Sequence, residues 1–248
     1  MRPLLPLTLV AMLLVAGCAG PLQTDGGVGA AETETGPSIS VSGTGTASAD
    51  ADLAVISVSI TALEADAETA RNRVAEDSQA MFDALTDVGV DTDEAVTTAG
   101  FRISPEYNYR DGGRELLGYR AVHSYQIEVA PDEAGSVVDA AVGAVSTTGE
   151  GGIVVDGVQY TLTDETRAEV RAEALEAAVD AARADADTVA SAAGVSVTGV
   201  RTIATGGDYV PYPQPRFAAE SADGGAATVL QPGPVEVTAT VSITYEVQ

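Results

Sequence analysis

From Val235 to Val247 the chain alternates without a break: Val235, Val237, Ala239, Val241, Ile243 and Tyr245 against Glu236, Thr238, Thr240, Ser242 and Thr244. A period of two sustained over that length is a strand with one dry face and one wet face. Such a strand belongs in an antiparallel or mixed sheet covered by helices on one side, because a buried parallel sheet is apolar on both faces. The rest of the chain must supply its neighbours and its cover.

Candidate neighbours recur along the sequence. Ile39 and Val41 alternate with Ser40 and Ser42, and Ala54, Ile56, Val58, Ile60 and Ala62 alternate with Val55, Ser57, Ser59 and Thr61. Val96 to Tyr109 reads as a strand with Ala99, Phe101 and Ile103 on one face. Tyr119 to Val129 answers it, with Tyr119, Ala121, His123, Tyr125, Ile127 and Val129 on one face. Ile153 to Thr163, with a bulge expected at Asp156-Gly157, and Val197 to Thr205 complete the set.

Helical spacing supplies the cover. Ala70, Val74, Met81, Leu85 and Val88 share a face that ends at Gly89, a good C′ residue. Pro131 and Asp132 open a short helix carrying Val138, Ala141, Val142 and Val145. Thr163, followed by Asp164 and Glu165, is an N-cap signal for a long helix running to Ala193 before Gly194. Its predicted buried stripe is Ala168, Leu175, Val179, Ala182, Ala186 and Val189. An Ala-rich stripe also suits a coiled-coil partner, but packing on its own sheet is the better reading.

The predicted order is β-β-α-β-β-α-β-α-β-β. This is an α+β fold: a single domain with a mixed or mostly antiparallel sheet, helices packed on one face, and a split β-α-β core between Leu53 and Leu162. Residues 206–234, rich in Gly and Pro, are too long for a simple connector.

The N-terminus reads as an address. Met1-Arg2 precedes an apolar run from Leu4 to Ala16, and Val15-Ala16-Gly17 leads into Cys18, the only cysteine. That is a signal peptide over residues 1–17 ending in a lipobox-like site, with Cys18 as the lipid-attachment residue. The run is shorter than the about 20 residues of a spanning helix. Residues 18–37 then form a lipidated tether without apolar periodicity, with a reach of about 25 Å, and residues 38–248 form the domain. The expected location is the outer face of the cytoplasmic membrane, held there by the lipid alone.

Charge narrows the partners. Asp+Glu total 37 and Lys+Arg total 12, the basic residues all being arginine, for a formal net charge of −25. Such a surface repels nucleic acid and anionic membranes. It also repels itself, and concentrated salt relieves this, since the Debye length falls to about 3 Å at 1 M. Surplus acid without lysine resembles proteins of salt-loving archaea. Dialysis from molar to millimolar salt is therefore expected to weaken the folded circular-dichroism signal. An unchanged spectrum and melting temperature would refute the salt requirement.

Chemistry is sparse. The single histidine, His123, sits mid-strand on an apolar face, and no G-x-S-x-G elbow occurs. Gly43-x-Gly45 lacks the third glycine and following helix of a dinucleotide fingerprint and reads as glycines thinning a strand. Acid clusters such as Asp91, Asp93 and Glu94, or Asp185 and Asp187, do not have the EF-hand spacing. The expectation is no catalytic residue, no metal and no cofactor. Aromatic and basic residues concentrate instead in "SPEYNYRDGGRELLGYRA", where Asp111-Gly112-Gly113 supplies a hairpin turn. Tyr107, Tyr109, Arg110, Arg114, Tyr119 and Arg120 there, with Tyr209, Tyr212, Arg216 and Phe217 in the long loop, are the candidate interaction residues.

These blocks together resemble the SIMPL family. "ISVSGTGTASADADLAVISVSI" is similar to its first block, although Ala51-Asp52 stands where the family pattern has Pro-Asp. "SPEYNYRDGGRELLGYRAVHSYQIEV", the strand and Ala-rich helix from Gly151 to Val195, and "VEVTATVSITYEV" are similar to the later blocks, in the same order over about residues 38–247. The resemblance implies an exported α+β envelope protein, in a family with members linked to oxidative-stress defence and at least one relative that forms ring-like or channel-like oligomers. It implies no catalytic motif. The function expected is a non-enzymatic, lipid-anchored envelope protein that self-associates as a homo-oligomeric scaffold or protective assembly. The alternative is a small-ligand or polysaccharide-binding module using the Tyr-rich hairpin and the Pro/Tyr loop, its ligand unknown.

Overall fold

A computed structural model describes residues 36–109, 113–145, 151–206 and 228–248. The chain order is β1 (Ser38–Asp50), β2 (Leu53–Glu64), α1 (Ala67–Asp87), α2 (Thr92–Ala95), β3 (Val96–Asn108), β4 (Glu115–Val129), α3 (Ala134–Ala144), β5 (Gly152–Thr161), α4 (Asp164–Ala193), β6 (Val197–Thr205) and β7 (Pro234–Val247). Apart from the single turn of α2 this is the expected order, and the α+β class holds. The expected single sheet, however, is two. β1-β7-β6 form one antiparallel sheet, and β3-β4-β2-β5 form another. The strands β1 and β2, close neighbours in sequence, do not make a hairpin. β1 pairs instead with β7 along its whole length, from Ser38↔Glu246 to Asp50↔Pro234.

The four-stranded sheet is built by β2-α1-β3-β4-α3-β5. Its strand order places β4 between β2 and β3, which is the expected split β-α-β unit. α1 and α3 cover one face. Ile56, Val58 and Ile60 of β2 are fully buried there against Met81 and Leu85 of α1 and Ile127 of β4. The Asp66 carboxylate starts α1 by accepting from the Thr69 amide at 2.9 Å. Gly89, at φ +95°, ends it, in backbone that favours glycine. Val88 caps that helix and is exposed, so the expected stripe stops at Leu85. In α3, which starts at Ala134 and not at Pro131, the buried residues are Ala134, Val137 and Ala141; Val138 is half-buried and Val142 exposed. The β5 bulge falls where expected: Ser57 pairs with Gly157 and Val58 with Val155, leaving Asp156 as the extra residue.

Among the described residues, α4 is the helix that covers the three-stranded sheet, lying on β1 and β7. Thr163 and Gly194 cap α4 as the sequence indicated. Its buried stripe keeps Ala182 and Ala186 of the expected one and otherwise runs along a neighbouring line of the helix. Val170, Ala174, Ala178, Ala182, Ala186 and Ala190 face the sheet, while Ala168, Val179 and Val189 are exposed and Leu175 is half-buried. The reason lies in β1. A Cβ added at Gly43 would sit 2.0 Å from the Ala178 carbonyl oxygen, and one at Gly45 would sit 2.3 Å from that of Ala174. The helix backbone rests directly on the strand backbone, and only alanine fits such a gap. β7 contributes the other half of this core, with Val241, Ile243 and Tyr245 buried under the helix. Its opposite face is the wet one, where Ser40 and Thr244 are 2.9 Å apart across the ladder.

Asp52 joins the segments at the point where the chain leaves one sheet for the other. Its carboxylate accepts from the Thr163 amide at 2.7 Å, the Thr163 hydroxyl at 2.8 Å and the Thr166 hydroxyl at 2.5 Å. The start of α4 is thereby tied to the β1–β2 connection. At the start of the last described stretch, Thr228 donates to the Asp139 carboxylate of α3 from its amide at 3.0 Å and its hydroxyl at 2.6 Å.

Candidate functional site

β2 stops pairing with β4 at Glu64↔Tyr119. Beyond that point, Glu106–Asn108 of β3 and Glu115–Gly118 of β4 pair only with each other. The Tyr-rich hairpin is therefore a two-stranded arm that runs past the edge of its own sheet. A register shift between Glu106 and Tyr107 adds a residue on the β4 side and turns the arm relative to the sheet.

The candidate residues divide between its faces. Tyr107 and Tyr109 lie near one another, with ring centroids 6.3 Å apart, and the Arg114 guanidinium stacks 3.7 Å from the Tyr107 centroid. A cation held that close over a ring is attracted by the ring's negative face, worth about 0.5–1 kcal/mol at an exposed site such as this. Arg120 belongs to the other set. It pairs opposite Ser104 and donates from Nε and, at 2.9 Å from its terminal nitrogen, to Glu106. The hydrogen bonds from Arg120 hold the Glu106 carboxyl below its ordinary range. This pair braces the root of the arm. Tyr119 stands at the same root, opposite Pro105 and Glu64. Arg110, Tyr209, Tyr212, Arg216, Phe217 and Cys18 lie outside the described residues.

The arm carries two residues the sequence reading passed over. Leu116 and Leu117 are 46% and 50% exposed, and Tyr109 is 69% exposed. The signal was present as a Leu-Leu pair just before the Gly118-Tyr119 entry to the strand, where period two should have placed one of them outward.

A second cluster forms where β3 and β4 meet α1. His123 is placed as expected, mid-strand on the helix-facing side, with its Nδ1 and the Tyr125 hydroxyl joined by a 2.6 Å hydrogen bond. Burial holds the imidazole below its ordinary 6.5 and raises the Tyr125 phenol above 10.0, so both are neutral at pH 7. Phe101 stands edge-on to His123 at 5.2 Å, and Phe82 of α1 edge-on to Tyr125 at 5.3 Å. Phe101, read from the sequence as sharing a face with Ala99 and Ile103, is 50% exposed, because α1 covers β2 and β4 and leaves β3 at the rim.

Among the described residues no group of three or more His, Cys, Asp or Glu comes together in a way that would hold a metal ion. No helix among them is long and apolar enough to cross a membrane. The model of the SIMPL family, described as a protein of unknown function (DUF541), matches residues 39–245. No curated protein matches the chain.

Proposed function

The chain belongs to the SIMPL family, and on that footing we propose that it is a non-enzymatic, lipid-anchored protein of the cell envelope that self-associates as a scaffold or protective assembly. The observation that carries this reading is the arm. A two-stranded ribbon is marginal in water, and this one exposes Leu116, Leu117 and Tyr109 beyond the sheet that supports it. A second copy of the chain would cover that surface. The Arg114–Tyr107 stack and the Arg120–Glu106 pair hold the arm in shape before contact, which lowers the entropy lost on docking. The lipobox at Cys18 and the acidic composition support an exported domain, tethered by lipid and working in concentrated salt.

Light scattering of the domain in concentrated salt is expected to give a mass above that of the monomer, rising with concentration. Changing Leu116 and Leu117 together to aspartate is expected to weaken assembly by about tenfold to a hundredfold with unchanged circular dichroism. A monomeric mass at every concentration would remove the self-association. The exposed Tyr109 also favours a sugar-binding role for the arm. Thermal stabilisation by envelope polysaccharides, lost in Tyr109→Ala while the assembly mass is unchanged, would support that reading instead.

A further inference from the structure

Between α1 and the β3 rim lies a cleft of about 400 Å³, lined by Arg71, Ser78, Gln79, Phe82, Phe101 and the His123–Tyr125 pair. Its size suits a small organic molecule. Its walls are rings held by their neighbours: Phe101 at 83° to His123, and Phe82 at 75° to Tyr125. A ligand would therefore meet surfaces already oriented.

Charge sets this cleft apart from two other hollows among the described residues. The chain carries 37 acidic residues, yet none lines the cleft among the described residues, whereas one cation, Arg71, does. The hollow beside β2 and the start of α4 includes Glu128 and Asp164, and the one along α4 includes Glu176 and Asp180. Arg71 donates to the neutral Asn72 side chain at 2.8 Å and makes no ion pair among the described residues. Most of its fork is thus open to a planar anion.

We propose that this cleft binds a small aromatic carboxylate, its rings against Phe82 and Phe101 and its carboxylate on Arg71. The site is separate from the arm and does not depend on self-association. A neutral aromatic would use the same walls without using Arg71. An aromatic cation would face the guanidinium.

The test is a fluorescence or calorimetric titration of the full chain, in concentrated KCl, with 2-naphthoate, 2-naphthylmethanol and 2-naphthylmethylammonium. Naphthoate is expected to bind tightest, about fivefold better than the alcohol, with the ammonium weakest. Arg71→Gln is expected to erase the preference for naphthoate and leave the alcohol unchanged. Phe101→Ala is expected to weaken all three by about threefold to tenfold. Both side chains are exposed, so circular dichroism should show these variants folded. Equal affinity for the three probes, a naphthoate preference that survives Arg71→Gln, or no binding by any probe would each overturn the proposal.

Discussion

Replacing Gly45 with valine is expected to lower stability by at least about 3 kcal/mol, or about 6–12 °C in melting temperature. A Cβ there would sit 2.3 Å from the Ala174 oxygen and 2.4 Å from the Ala178 nitrogen, both backbone atoms of α4. Ordinary contact needs about 3.5 Å, so the helix must lift by more than an ångström. Lifting opens a gap under Ala178 and Ala182, which are fully buried, and uncovers Tyr245. Gly43→Ala should cost a comparable amount, since its Cβ would sit 2.0 Å from the Ala178 oxygen. The double variant should cost less than the sum, because the helix lifts only once. Gly143→Ala is the control. It lies in α3 with nothing within 4 Å of the new atom and should stabilise by about 0.5–1 kcal/mol. Thermal unfolding in concentrated salt reads all four, and equal losses at Gly43 and Gly143 would refute the close-contact account.

Asp52→Ala is expected to cost about 2 kcal/mol, comparable to losing a strong helix cap. The carboxylate accepts three hydrogen bonds from Thr163 and Thr166 and so ties the start of α4 to the β1–β2 connection. Asp52→Asn, which keeps one acceptor oxygen but no charge, should lose about half of that. The pH dependence separates charge from shape. Burial opposes ionisation of Asp52, but the hydrogen bonds from Thr166 and Thr163 outweigh it and hold the carboxyl below its ordinary 3.8. A lowered folded pKa means the stabilisation is complete above that ordinary value and is lost as pH falls through the folded one. The gap between wild type and Asp52→Asn should therefore be constant from pH 5 upward and close below about pH 4. A gap that persists in stronger acid would mean the carboxylate charge has no part.

Much of this molecule was legible along the chain. The caps of α4 at Thr163 and Gly194, the bulge at Asp156 and the strand limits of β6 follow from local rules of turn, cap and period. The family resemblance rested on the same blocks, and even the retained Asp52 beside Ala51 was visible. Its task was not. Thr163 is 111 positions away, and nothing in the sequence near Asp52 points to it. The site divided in the same way. The aromatic and basic density of the hairpin marked an unusual surface, but the split of Arg120 from Arg114 depends on register. A single bulge between Glu106 and Tyr107 sets it.

Periodicity, caps and composition, all local or additive properties, were enough to establish the element order, the α+β class and the acidic exterior. Which strands share a sheet was a matter for the assembled fold, because pairing β1 with β7 joins opposite ends of the domain. The same holds for the face α4 buries. A hydrophobicity stripe selects its larger apolar residues, Leu175, Val179 and Val189, whereas the folded chain selects its alanines, since Gly43 and Gly45 bring two backbones into contact and leave no room for anything larger.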